Sequence, residues 1–327
     1  MLIHLDKRLQ KLMPILTPLS LIMGVLLERI GGQLVFLVPW LFAFMTFAGS
    51  LSLNFQGLRS FVKYPWVILF TIAFLHILMP AWAYFISNLL FDDHLLVIGF
   101  FLSVAVPTGV TSFIWASICK GNIPLSLSII LIDTILSPLV LPALIHFVAG
   151  ENVEINTMSI MLDLFWMVVL PSIAAVLLNE WTKGEIDLTL GKTLAPFQKL
   201  SIFLIVGING SAIAPYLKNI TWEIVGIIMV VLLLAICGYV MCLVLGHFLF
   251  RDYEIITAIV FTGGMRNIAV GIVIASTYFP AKVVMPVVFG MLFQQILASQ
   301  FSRILEKYNE KFLSDGKKTL TNEKPIV

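Results

Sequence analysis

The sequence has little charge, and this shortage narrows the class of protein. Of its 327 residues 12% are charged and 60% are hydrophobic, and the mean hydropathy is +1.03. A soluble domain carries about a quarter of its residues as charged side chains. The apolar runs are also continuous rather than alternating, which is typical of membrane helices and not of membrane strands. The composition therefore predicts an all-α polytopic membrane protein.

Cysteine is also scarce, and the motifs of several function classes are missing. Cys119, Cys237 and Cys242 lie in or at the end of apolar segments and lack the spacing of metal ligands. We interpret them as small buried apolar side chains. No phosphate-binding loop, catalytic carboxylate pair or nucleic-acid-binding patch is present. The sequence thus predicts neither an enzyme nor a nucleic-acid partner, and no cofactor.

Apolar runs separated by charges, prolines and glycines predict ten membrane spans in a single transporter domain. The first half, about residues 12–148, and the second half, about 157–301, each hold five spans, and a polar tail covers 302–327. The predicted spans lie at about 12–28, 34–53, 64–90, 95–118, 123–148, 157–179, 197–217, 222–249, 254–278 and 282–301.

Lysine and arginine are distributed unevenly around these spans. With a cytoplasmic amino terminus, sixteen of the 20 basic residues fall in cytoplasmic segments and three in outer segments, with Arg266 inside a span. Positive charge concentrates on the cytoplasmic side of membrane proteins. The bias predicts a multi-pass protein of the cell membrane with both termini in the cytoplasm.

Arg266 is the most informative residue. An arginine at the centre of a membrane helix costs roughly 2.5–3.5 kcal/mol, so it normally faces the protein interior or an aqueous cavity. Gly263 and Gly264 precede it and weaken the helix. Pro107 and Gly109 interrupt the fourth span at the equivalent place. Paired interruptions in inverted halves indicate two broken helices that cross at a transport site near the membrane centre.

Several stretches taken together give the sequence a likeness to a known family. They contain Phe44-Met45, Leu78-Met79-Pro80, Lys120-Gly121-Asn122, Ser137-Pro138 and Gly264-Met265-Arg266-Asn267. They lie within residues 41–55, 78–80, 107–122, 126–138 and 264–267. In order and spacing the chain resembles the bile acid:sodium symporter family. That resemblance implies a core domain with crossed helices four and nine, a panel domain, and sodium-driven import of an organic anion.

The chain departs from that family at the implied sodium ligands. Phe113 follows Ser112 where the family has asparagine, and Ile130 follows Ser126 by four residues where the family has a hydroxyl. Thr262 stands in place of a bridging glutamate, Arg266 in place of a glutamine and Leu75 in place of another. Apolar side chains give sodium no oxygen, and a guanidinium adds fixed positive charge. We interpret Arg266 as a substitute for at least one sodium ion, with Ser112, Ser126 and Thr262 as a residual sodium site.

Two further polar residues lie inside predicted spans. Asp133, in the fifth span, is predicted to pair with Arg266 and to balance or carry charge, or else to form a permanent structural ion pair or a hydrogen bond to a neighbouring helix end. His76 is either a proton relay or a packing residue. Near the breaks, Thr108, Thr111, Ser112, Thr262 and Asn267 are candidates to bind substrate or cap half-helices. Asn209 either lines the cavity or packs between helices. Gln294 and Gln295 are interpreted as helix contacts.

These observations predict a secondary transporter that moves a small or amphipathic organic anion by alternating access. Its coupling ion is then sodium, as the resemblance implies, or a proton. Its partners are then that anion and the lipid bilayer, and both a monomer and a homodimer stay open. Two alternatives remain: sodium-coupled symport of bile-acid-like or other carboxylates, and a non-transporting membrane sensor or scaffold. An appended soluble domain would favour the scaffold, and the short tail argues against it.

Overall fold

The computed structural model describes residues 2–53, 62–150, 156–217 and 221–322, and nearly all of these residues are helical. Single π-helical turns at Phe74–Leu78, Phe165–Val169 and Asp187–Gly191 interrupt longer helices, and Val35–Leu37 is a 3₁₀ turn. In chain order the α-helices are α1 Leu2–Leu26, α2 Glu28–Gln33, α3 Val38–Ser50, α4 Pro65–Ala73, α5 Met79–Leu90, α6 His94–Ala105, α7 Ser112–Ile118, α8 Ile123–Ala149, α9 Thr157–Leu164, α10 Leu170–Trp181, α11 Lys192–Leu217, α12 Trp222–Phe250, α13 Tyr253–Gly264, α14 Ile268–Tyr278 and α15 Ala281–Asn322.

Six helical segments of the described chain are long and apolar enough to cross a membrane, which confirms the prediction of a polytopic helical membrane protein. The apolar helices α3, α6, α13 and α14 are shorter. The six segments are Pro65–Leu90, Ile123–Ala149, Thr157–Trp181, Asp187–Ser211, Trp222–Phe250 and Ala281–Glu310.

Polar caps fix where several helices begin. The side chains of Asp93, Asn122, Asn156, Thr221 and Asp252 each accept a hydrogen bond from a backbone N–H in the first turn of the following helix. Such a bond satisfies one of the donors that the start of a helix leaves unpaired. Short polar breaks thus set the ends of apolar helices that carry no other boundary signal.

Proline and a π-helical turn distort the third predicted span around His76. Pro80 has no N–H to donate to the carbonyl of His76, four residues earlier. The π-helical turn Phe74–Leu78 ends where Met79 N–H donates to Phe74 O. Such turns occur frequently at functional sites. The chain therefore holds His76 in an irregular segment between α4 and α5.

The helices pack in two groups. In one, α11 packs against α1, α2 and α3, and α10 packs against α3. In the other, α12 packs on α13 and α15, while α15 also packs on α6 and α14. Contacts of α11 and α3 with α14, and of α11 and α1 with α15, join the groups. The boundary between the two groups therefore includes α14 and α15, which follow Arg266 in the chain.

Small residues allow the closest approach within the first group. A Cβ added at Gly24 of α1 would lie 2.0 Å from the backbone oxygen of Gly207 in α11, so only glycine fits there. Ser20 Oγ donates to Phe203 O next to that contact. Along the chain, α15 continues beyond the predicted span end near residue 301 as a helix to Asn322, and residues 323–327 lie outside the described part.

Candidate functional site

Two helices are interrupted at the predicted positions. Helix α6 ends at Ala105 and α7 begins at Ser112, so Pro107 and Gly109 lie in an extended connection. Helix α13 ends at Gly264 and α14 begins at Ile268, which places Arg266 in the second connection. The two connections meet through an antiparallel bridge between Thr108 and Arg266.

Backbone hydrogen bonds hold the two connections together. Gly109 N–H donates to Met265 O at 3.1 Å, and Asn267 N–H donates to Pro107 O at 2.7 Å. These bonds flank Thr108 and Arg266, whose own N–H and C=O groups therefore point away from each other. Within a membrane, backbone that is not helical normally requires hydrogen-bond partners inside the protein. Here each connection supplies such partners to the other. We call this junction of the two connections the crossing.

Thr108 ties the crossing to two further elements. Its Oγ1 donates to Thr262 O at 2.5 Å and is 3.0 Å from Met265 O, at the carboxyl end of α13. Its backbone N–H donates to Asp133 Oδ2 of α8 at 2.5 Å. Thr108 is 1% exposed, so its hydroxyl has no opening to solvent here. In this conformation Thr108 thus links the two connections of the crossing to α8 and to the carboxyl end of α13.

Arg266 is buried at the crossing, as its interruption of an apolar run predicted. Its side chain is 5% exposed. Neither of its terminal nitrogens, Nη1 and Nη2, has a hydrogen-bond partner in the described part of the chain. An unpaired buried polar group costs several kcal/mol in an apolar medium, by an order-of-magnitude estimate. The donors on both nitrogens thus have no acceptor among the described residues.

Two cavities border Arg266. The first, of about 70 Å³, is lined by Gly109, Thr111, Asn267 and Gln198 together with Arg266. The second, of about 30 Å³, is lined by Met79, Ser103, Tyr239 and Gly264 together with Arg266. Gln294 of α15 lines both. Arg266, Ile268 and Gln294 therefore border both of these small cavities at the crossing.

A third cavity, of about 120 Å³, continues from the first. It shares Val110, Thr111 and Gln198 with the first cavity and reaches Asp187 and Gly191. Its walls come from α3 and α11 on one side and from the connection before α7 on the other. The space beside Arg266 therefore lies along the boundary between the two groups of helices.

Sequence reasoning missed the contribution of α15 and α11 to this site. Gln294 and Gln295 line the first cavity, although they were interpreted only as helix contacts. Gln295 Oε1 also accepts a hydrogen bond from Trp115 Nε1 at 3.3 Å. Gln198 lines the first cavity as well and was not predicted. The available signal was a pair of adjacent amides within an apolar run of the last span.

Asp133 pairs with His76 in this structure. Its Oδ1 lies 2.6 Å from His76 Nε2, while Oδ2 accepts from Thr108 N–H. Asp133 is 0% and His76 5% exposed. The predicted pairing with Arg266 is thus replaced by a histidine and a backbone amide, although the charges of Asp133 and Arg266 lie close enough to interact. The structure brings His76, Asp133, Thr108 and Arg266 into one chain of contacts.

The other predicted site residues are distributed unevenly. Asn267 lines the first cavity, and Thr111 lines the first and third. Thr262 and Ser126 are buried and donate to the carbonyls of Ala258 and Asn122 in their own chain segments. Asn209 is buried, donates to Ile205 O at 2.9 Å and is not among the residues that line the three cavities described above. Its position gives no support to a role in substrate binding.

The implied sodium ligands form an incomplete oxygen set. Sodium needs about five or six oxygens. Ser112 Oγ is buried without a hydrogen-bond partner among the described residues, which suits a ligand. Phe113 and Ile130 supply no side-chain oxygen, and Arg266 adds positive charge nearby. The described residues also contain no group of three or more His, Cys, Asp or Glu side chains that could hold a metal ion.

An ion-pair network joins three helix starts away from the crossing. Lys282 Nζ of α15 lies 2.6 Å from Asp93 Oδ2 and 3.2 Å from a Glu223 oxygen of α12. Partial burial acts to raise the pKa of Asp93, but hydrogen bonds from Lys282 Nζ and Leu95 N–H outweigh it and hold the pKa below its ordinary value of 3.8. The network links the amino-terminal ends of α6, α12 and α15.

Fold and site together define a class. Long apolar helices, two broken helices that cross, and a buried unpaired cation beside small cavities characterise a membrane transporter rather than an enzyme.

The sequence comparisons agree. Residues 47–298 match the SBF-like CPA transporter family, and the chain belongs to that family, which is of the bile acid:sodium symporter type. The predicted family resemblance is confirmed.

Similar proteins extend over most of the chain. The uncharacterized protein YbaS of Bacillus subtilis is 45% identical over 300 residues, which cover 91% of this chain and 98% of YbaS. The uncharacterized sodium-dependent transporter YocS of the same organism is 25% identical over 85% of this chain and 89% of its own length. The probable sodium/metabolite cotransporter BASS1 of rice chloroplasts is 25% identical over 70% of this chain and 56% of its own length.

Proposed function

We propose that this protein is a secondary transporter of a small organic anion in the cell membrane, in which Arg266 takes the place of a sodium ion. The observation that carries the proposal is the buried guanidinium at the crossing, whose Nη1 and Nη2 lack partners and which borders two cavities. A carboxylate placed there accepts two parallel N–H bonds. Amide side chains of Asn267, Gln198 and Gln294 surround the same space and offer further donors.

Transport then follows from movement between the two groups of helices. In this proposal the group containing α3 and α11 is the panel domain, and the group containing the crossing is the core domain. The ten spans form two inverted halves of five, with both termini in the cytoplasm, as the basic residues predict. Because the third cavity follows the boundary between panel and core, a rocking movement there opens the Arg266 site to one side of the membrane.

Sodium-coupled symport is the second candidate. It is supported by the names of YocS, a sodium-dependent transporter, and BASS1, a probable sodium/metabolite cotransporter. The unpartnered Ser112 hydroxyl offers one oxygen to an ion. Against it stand Phe113, Ile130 and the charge of Arg266, which leave the implied site short of oxygens.

Uptake by proteoliposomes separates these candidates. Purified protein is reconstituted, radiolabelled pyruvate and cholate are supplied as probes, and inward sodium and proton gradients are imposed one at a time. Uptake without sodium supports the substitution by Arg266. Uptake that depends on sodium alone contradicts it, and no uptake of either carboxylate under any gradient counts against anion transport by this site.

The variant Arg266→Gln makes the test specific to the guanidinium. Glutamine restores the residue type that the resemblance implies at this position and removes the charge. We expect uptake to fall about 100-fold or to become dependent on sodium, since a charged hydrogen-bonded pair contributes roughly 1.5–3 kcal/mol. Arg303→Gln, an exposed position in α15, is the matched control and should transport normally. Unchanged uptake by Arg266→Gln under unchanged ion conditions would refute the role of the arginine.

A further inference from the structure

His76 and Asp133 form a buried pair whose side chains are not among the residues that line the cavities beside Arg266. Both side chains are buried, and they meet at 2.6 Å within the interior of the helical bundle. Buried ion pairs contribute little to stability, because the cost of removing two charges from water offsets their attraction. Ionisable side chains in membrane interiors typically mark ion or proton pathways. This pair therefore calls for a role beyond holding helices together.

We propose that the His76–Asp133 pair is a proton-binding site that couples proton movement to anion transport. The inference deepens the proposed function and rests on the anion site at Arg266. It depends on the contact chain that runs from His76 to Asp133, through the Thr108 amide, to the residue paired with Thr108 at the crossing, which is Arg266.

The contacts identify the atom that takes up the proton. Asp133 Oδ1 accepts from His76 Nε2, so in the neutral imidazole Nε2 carries the hydrogen. The remaining nitrogen, His76 Nδ1, is buried without a hydrogen-bond partner in the described structure. Its free lone pair is the site for one proton from water. Met79, about one turn further along the chain, lines the second cavity.

Charge balance explains how this proton couples to an anion. When His76 is neutral, Asp133 is the negative charge that balances Arg266. When His76 is protonated it balances Asp133 itself, and the positive charge of Arg266 is left for the anion. The site is then neutral in two states only, empty, or loaded with one proton and one monoanion. A site with only a proton or only an anion has an unpaired charge in a low-dielectric interior, which is costly. Empty and fully loaded carriers therefore change conformation most easily, which is proton–anion symport.

No other charged group near the pair disturbs this balance within the described residues. Arg266 is the charged residue of the crossing, and the Cys242 thiol and the Tyr239 ring of α12 lie against Gly263 and Gly264, just before it in the chain. The remaining titratable side chains on elements that pack against α8 sit at other contacts. They are His94, bonded to Ala149 O, Cys119, bonded to Ser302, Asp163, bonded to Tyr278, Tyr253, bonded to Cys119 O, and Glu254, which is exposed.

The proposal is tested by titrating His76 directly, without any substrate. The full-length protein, labelled with ¹⁵N-histidine, is placed in lipid nanodiscs, and the imidazole ¹⁵N shifts are followed from about pH 5 to pH 9. This window brackets the pH range in which histidine changes charge. The chain has five histidines, and His76→Gln assigns the signal of interest. We expect His76 to gain and lose its proton within this window.

Two charge variants make the test decisive. Asp133→Asn removes the negative partner and should weaken proton binding at His76 about tenfold or more, which lowers the titration midpoint by about one pH unit or more. Arg266→Gln removes the opposing positive charge and should raise the midpoint. If Asp133→Asn does not fold, Arg266→Gln still gives the sign. Midpoints that are unchanged in the folded variants, or a His76 that stays neutral or stays charged across the whole window, would overturn the proposal.

Adding a transported anion to the titration distinguishes the proton-binding proposal from the anion-site proposal on which it rests. Pyruvate or cholate, whichever the wild type takes up, should raise the His76 midpoint by neutralising Arg266. A midpoint that does not move with a transported anion overturns the coupling. If neither probe is taken up while His76 titrates and responds to both variants, the proton site stands and the assignment of the anion fails.

Discussion

Arg266 and Gln294 are the two polar residues, beside the apolar Ile268, that border both cavities at the crossing. The guanidinium supplies charge, and the amide supplies one donor and one acceptor from a helix that is not broken. A Cβ added at Gly109 would lie 3.6 Å from Gln294 Nε2, so the amide reaches the connection between α6 and α7. In the proposed function, Gln294 contacts the bound anion from α15.

Replacing Gln294 with alanine should weaken substrate binding while the crossing stays intact. Loss of one hydrogen bond to a charged ligand costs roughly 1.5–3 kcal/mol, so we expect the half-saturating anion concentration to rise at least about tenfold. Initial uptake rates measured over a range of substrate concentrations give this value. Gln300→Ala, at an exposed position of the same helix, serves as the control. An unchanged half-saturating concentration in Gln294→Ala would remove Gln294 from the site.

Not every site residue could be predicted from the sequence. Arg266 could be predicted, because placing a charged residue within an apolar membrane span costs free energy in any orientation. Gln294 and Gln198 could not, since a neutral amide within a helix serves packing and ligand contact equally well. For Asp133 the sequence left a pairing with Arg266 open beside a structural ion pair or a hydrogen bond to a helix end, and its contacts with His76 and the Thr108 amide required the structure, because they depend on tertiary packing.

At the scale of elements, glycine makes the end of α13 possible. A Cβ added at Gly264 would lie 2.4 Å from the Tyr239 ring, and one added at Gly263 would lie 2.2 Å from Cys242 Sγ. Both distances are far below ordinary contact, so α13 can approach α12 only where side chains are missing. The two glycines therefore have a packing role in addition to weakening the helix before the crossing.

Gly263→Ala should destabilise the protein, and Cys242→Ala should restore part of the loss. The added methyl group overlaps the sulfur, and overpacking costs about 1–3 kcal/mol. Removing the sulfur relieves that overlap, so the double variant should recover at least about half of the stability in a double-mutant cycle. Thermal unfolding in detergent measures each variant. Gly32→Ala, where no atom lies within 4 Å of the added Cβ, is the control. Equal stability of Gly263→Ala and wild type would contradict this packing.

Helix positions were largely predictable because hydropathy and capping act locally. Segments such as Ile123–Ala149 and Trp222–Phe250 end within one residue of the predicted 148 and 249. The paired breaks at Pro107 and Gly263 were also predictable, because proline and glycine alter the backbone directly. Contacts between the breaks depend on tertiary packing, so the hydrogen bonds around Thr108 required the structure.

At the scale of the whole molecule, the proposed transport cycle requires the panel helices to move relative to the crossing. In this structure the panel helices and the crossing meet where Gly49 of α3 faces Val110, just before α7. A Cβ added at Gly49 lies 3.7 Å from Val110 Cγ1, and its closest neighbour is the flexible end of Gln198 at 2.6 Å. The boundary is thus narrow enough at this point for a covalent link.

A disulfide across that boundary should stop transport reversibly. Disulfides form where Cβ atoms lie about 3.5–4.5 Å apart, a separation within reach of the Gly49→Cys and Val110→Cys pair. The pair is introduced after the three native cysteines are replaced, so that no other thiol reacts. Because alternating access requires panel and core to separate here, oxidation should remove about nine-tenths or more of the uptake, and dithiothreitol should restore it. Gly49→Cys alone, treated with the same oxidant, should keep its uptake. If the linked protein, with its disulfide verified by mass spectrometry, transports as fast as the reduced protein, then this boundary does not open during the cycle and the path runs elsewhere.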